Sequence, residues 1–65
     1  MKGWQVLEKS SSLEHLELMK FNLKENLGLE TVVINKKISA YQLGEGELWV
    51  MEEDFEQAKT FLEQI

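Results

Sequence analysis

Apolar and polar residues alternate at the start of the chain, then fall into a helical spacing. A β-branched run, a second alternating run and a second helical stripe follow. Over Trp4–Lys9, Trp4, Val6 and Glu8 fall on one side and Gln5, Leu7 and Lys9 on the other, the period of a strand. Ser10, Ser11 and Ser12 end it. Ser11 with Glu14 three residues on fits a capping box, in which the hydroxyl accepts an orphan backbone N–H and the glutamate reaches back. Leu13, Leu16, Met19, Leu23 and Leu27 then share one helical stripe. Asn26 and Gly28 supply the stop, with Gly28 as the left-handed residue after the last turn. Leu18 and Phe21 lie off this stripe on the wet side, either as scattered surface residues or as a contact patch.

Glu30–Asn35 is the clearest strand, because Thr31, Val32, Val33 and Ile34 are all β-branched and suit a pleated surface. Apolar residues on both of its faces predict cover on both sides. Asn35 to Gly46 is a polar connection containing two glycines and Tyr41. In the third strand, Glu47–Met51, Leu48 and Val50 face one way and Trp49 and Met51 the other. The last helix starts near Glu53 and carries the stripe Phe55, Ala58, Phe61, Leu62, Ile65. Glu52, Glu53 and Asp54 crowd its start, where the helix dipole favours anions and capping.

The order is β-α-β-β-α in one domain over residues 1–65. A right-handed crossover makes strands one and two parallel. Placing strand three between them, antiparallel to both, gives an α+β fold. It has a three-stranded, mostly antiparallel sheet of order 1-3-2 with two helices on one face, a ferredoxin-like arrangement lacking its last strand. The other face then carries Trp49 and Met51, joined by Trp4 if the first strand's register allows. An uncovered tryptophan-bearing face marks an interaction surface, and the missing strand leaves the first strand as an open edge. Trp4, Trp49 and Met51 are therefore candidate interface residues of a homodimer.

Charge and composition narrow the partners. The net charge is -5, from 12 acidic and 7 basic residues, which disfavours nucleic acid and anionic membrane surfaces. No apolar run approaches the length needed to span a bilayer. The residues after Met1 lead into a strand, not a hydrophobic signal core. With no cysteine, disulfides and thiolate chemistry are excluded, in keeping with a cytoplasmic setting.

Little in the chain points to catalysis. His15 is the only histidine and lies on the polar side of a helix. Without a second histidine or a cysteine, zinc and copper lack ligands. Ser10, Ser11 and Ser12 have no base at a recognisable spacing. Gly44-Glu45-Gly46 is a turn, since no helix with a lysine and hydroxyl pair follows it. No cofactor, metal or enzymatic activity is expected. The most site-like segment is Asn35-Lys36-Lys37-Ile38-Ser39-Ala40-Tyr41, which sets two cations, an amide, a hydroxyl and a ring on a connection, where binding residues concentrate. Asn35, Lys36, Lys37, Ser39 and Tyr41 are candidate contacts for a protein partner or a small anionic metabolite. The alternative is a solvated connection with Tyr41 covering the core edge.

From Val32 onward the residues also resemble a known family. Val32-Val33-Ile34-Asn35-Lys36-Lys37, then Ser39, Tyr41 and Gly44, then Glu47-Leu48-Trp49-Val50 and Glu53-Asp54-Phe55-Glu56-Gln57-Ala58, resemble the small prokaryotic signal-transducing proteins. That family is of unknown function and related in fold to the nitrogen-regulatory PII-like group. The resemblance implies a cytoplasmic, non-enzymatic domain with a ferredoxin-like fold, and bears on the architecture more than on any activity.

Overall fold

Three strands form one antiparallel sheet in the order β1-β3-β2, where β1 is Trp4–Ser10, β2 is Thr31–Asn35 and β3 is Gly46–Met51. Helix α1 spans Leu13–Leu27 and α2 spans Phe55–Glu63, the latter preceded by a 3-10 turn over Glu52–Asp54. The computed structural model describes residues 2–36 and 45–64.

Both helices pack on the Leu48/Val50 side of the central strand. Leu48 and Val50 are fully buried in one cluster with Leu16, Met19 and Leu23 of α1 and Ala58 of α2. Leu7, Val33, Phe55, Phe61 and Leu62 pack around it. The Cα trace measures only 16 Å in its thinnest direction, which suits one layer of strands and one of helices. The predicted α+β architecture, with a 1-3-2 sheet and two helices on one face, is therefore the fold. Among the described residues no helix covers the other face, so β2 has helical cover on one side, not on both. Val33 packs against the core while Val32 and Ile34 lie half-buried on the reverse.

Local chemistry explains the element ends, with two differences from the sequence reading. The N-cap of α1 is Ser12, not Ser11: its hydroxyl accepts from the His15 N–H at 3.2 Å. Ser10 instead accepts from the Ser12 N–H at 3.0 Å. The last of three serines caps because it is the one in extended backbone immediately before the first helical turn. At the other end Gly28 has φ 69, as expected, and its N–H donates to the Lys24 carbonyl at 3.0 Å. The second difference concerns Glu52, Glu53 and Asp54. They form the 3-10 turn, and Asp54 precedes α2 without a side-chain capping bond. Their contribution is charge at the positive end of the helix. The Glu52 N–H donates to the Gly3 carbonyl at 2.9 Å, tying the exit of β3 to the entry of β1. No helix among the described residues is long and apolar enough to cross a membrane.

Among the described residues one buried side chain is unsatisfied. Thr31, 5% exposed, has no hydrogen-bond partner for its hydroxyl. Thr31→Val keeps the shape and removes that cost, so chemical denaturation should show a gain of about 1 kcal/mol. Gly28→Ala forces a Cβ into left-handed backbone and should lose about 1 kcal/mol in the same assay.

Candidate functional site

Directly opposed residues of an antiparallel pair share a face, so the register defines the uncovered side of the sheet. Trp49 stands at its centre, paired with Val6 of β1 and Val32 of β2. One step along, Met51 pairs with Trp4. One step the other way, Glu47 is flanked by Lys9 and Ile34. Trp4, Val6, Val32, Ile34, Trp49 and Met51 thus form an apolar field in which every member is only half-buried. The structure brings the three predicted interface residues, Trp4, Trp49 and Met51, onto this one face.

A β-bulge sets the charged end of the field. Val6 pairs with Trp49 and Glu8 with Leu48, so Leu7 is the extra residue. Past the bulge the alternation resets. Lys9, expected on the side away from Trp4 and Val6, instead stands opposite Glu47, with its ammonium 3.8 Å from the carboxylate. Leu7 meanwhile packs into the core.

Glu47 is 8% exposed, which is rare for an acid unless it is paired. Its Oε1 accepts from the Trp49 indole Nε1 at 3.0 Å and lies 3.1 Å from the Lys36 Nζ. Lys9 approaches the other oxygen. The carboxylate therefore joins a cation of β1 to one just past the end of β2 and orients the central indole. The Lys36 hydrogen bond, more than any other influence, holds its carboxyl below the usual range. Burial opposes this, and the Trp49 bond and the charges of Lys36 and Lys9 assist it.

Of the predicted binding segment, Asn35 ends β2 opposite Gly46, and Lys36 is engaged with Glu47. Lys37, Ser39 and Tyr41 lie outside the described residues, as does Ile65 of the second helical stripe. Glu47 escaped the sequence reading because its two cationic partners come from β1 and from just past the end of β2, far away in the chain; only the alternation that sets Glu47 and Trp49 on one face hinted at it. Elsewhere, Leu27 at the end of α1, Glu56, Gln57, Thr60 and Phe61 along α2 and Gln64 just past it line a shallow groove of about 380 Å³. Among the described residues no cluster of three or more histidines and carboxylates could hold a metal. A comparison with protein-family models, curated proteins and solved structures gave no match to the chain.

The charge cluster makes a pH prediction. The folded pKa of Glu47 lies below its ordinary value of 4.5. Ionised Glu47 therefore stabilises the fold above that pH, and the contribution disappears as pH falls through the lowered folded value. Glu47→Gln should be less stable than wild type near neutral pH, with the two converging in acid below 4.5. Denaturation midpoints across the range, followed by circular dichroism, check this.

Proposed function

We propose that this domain is a cytoplasmic, non-enzymatic interaction module of the signalling type, working as a homodimer through the tryptophan-bearing sheet face. The observation that carries the reading is the continuous field of Trp4, Val6, Val32, Ile34, Trp49 and Met51, left half-exposed opposite the helices. Burying such a surface gains about 25 cal/mol per Å² of apolar area, and a second copy offers the same surface in complementary form. The Glu47, Lys9 and Lys36 cluster sits at one end of the field, where it would form a polar rim.

Face-to-face packing is favoured over pairing along the free edge of β1. The bulge at Leu7 interrupts that edge, and Glu8 and Lys9 place charges on it. The Glu8 carboxylate also accepts the Lys9 backbone N–H at 3.2 Å. The resemblance to small signal-transducing proteins supports a regulatory role. An alternative reading is binding of a small anionic metabolite near Asn35 and Lys36. An anion there would have to displace the Glu47 carboxylate from Lys36, so we favour the protein-interaction role.

Sedimentation over a concentration series tests the dimer. The wild type should sediment as a dimer at high micromolar concentration. Val32→Lys, which sets a charge beside Trp49, should be monomeric with an unchanged helical circular dichroism spectrum. A wild-type monomer throughout that range would defeat the proposal.

A further inference from the structure

A second apolar patch lies on the opposite side of the molecule. Leu18 and Phe21 are each 58% exposed. With about 100° between successive residues, they project from the side of α1 away from the buried Leu16 and Leu23. Three of the neighbours one turn away are acidic: Glu14 precedes Leu18 by four residues, Glu17 precedes Phe21 by four, and Glu25 follows Phe21 by four; His15, Asn22 and Lys24 are the others. All three glutamates are exposed, and none forms an ion pair among the described residues. Lys24 is directed elsewhere, bonded to Glu30 just before β2. The patch is thus an apolar pair flanked by three glutamates that have no ionic partner among the described residues.

Symmetry argues against a second copy here. If α1 packed on its own copy in antiparallel fashion, Leu18 of one chain would meet Phe21 of the other. The same two-fold would then oppose Glu14 of one chain to Glu25 of the other, like charge against like. A cationic partner meets no such conflict.

We propose that the outer face of α1 is a docking surface for a basic amphipathic helix, which seats an apolar residue between Leu18 and Phe21 and pairs lysine or arginine side chains with Glu14, Glu17 and Glu25. This surface is separate from the sheet face, so one domain carries a self-association face and a partner face on opposite layers. Neither role requires the other.

The test titrates the full chain with a synthetic amphipathic helix of leucine and lysine, using a leucine–glutamate peptide of the same pattern as control. Calorimetry should show micromolar binding of the lysine peptide, weakening as salt rises, and no binding of the control. Leu18→Gln with Phe21→Gln should weaken binding by roughly tenfold or more. Glu14→Gln, Glu17→Gln and Glu25→Gln together should weaken it severalfold and flatten the salt dependence. Val32→Lys, on the other layer, should leave it unchanged. All these positions are exposed or half-buried, and matching circular dichroism melts confirm folding. Absence of binding, equal binding to the Leu18/Phe21 double variant, or equal binding of the glutamate peptide would overturn the proposal. Loss of self-association in that double variant would overturn it too, by assigning the patch to a second copy.

Discussion

Leu48 and Val50 of the central strand are buried completely against Leu16, Met19 and Leu23 of α1, with Ala58 of α2 in the same cluster. Almost everything else depends on that contact. A chain of 65 residues has material for one such core, because a small domain buries a smaller share of its surface than a large one. Two short helices are enough to shield one side of three strands. Once they are spent on the Leu48/Val50 side, the reverse has no described element to cover it. The half-exposed tryptophans follow from this arithmetic of layers, and do not require any special feature of β1 or β2.

That constraint also explains where the charges lie. A sheet face with six apolar side chains would be prone to nonspecific association. Here it ends in a buried carboxylate held by Lys36, Lys9 and the Trp49 indole. An isolated buried carboxylate would be costly, but two cations and an indole donor offset its desolvation. The indole is thereby fixed in orientation while its ring stays available to a partner. The bulge at Leu7 is a condition of this arrangement: it returns Lys9 to the Glu47 face while letting Leu7 fill the core. A regular strand could not have done both.

The two layers therefore carry different surface chemistry. On the strand side, a broad apolar field has its charges neutralised at one end. On the helix side, an apolar pair sits amid acids without ionic partners among the described residues. That difference underlies the two proposals, a second copy on the strand side and a cationic partner on the helix side.

The sequence by itself determined the element order, the sheet order, the left-handed stop at Gly28 and the division of β3 into two faces. The sheet order follows from the handedness of the crossover; the others depend on periodicity or on one residue's backbone freedom, which are local properties. The helix cap was legible only to within one residue, because Ser10, Ser11 and Ser12 carry the same hydroxyl and the backbone selects among them. Tertiary structure alone decided that Trp4 joins Trp49 and Met51, that Lys9 changes sides at the bulge, and that Glu47 gathers Lys9, Lys36 and the indole. Those facts depend on the register between strands far apart in the chain, and register is set by how the whole core packs, not by any one segment's pattern.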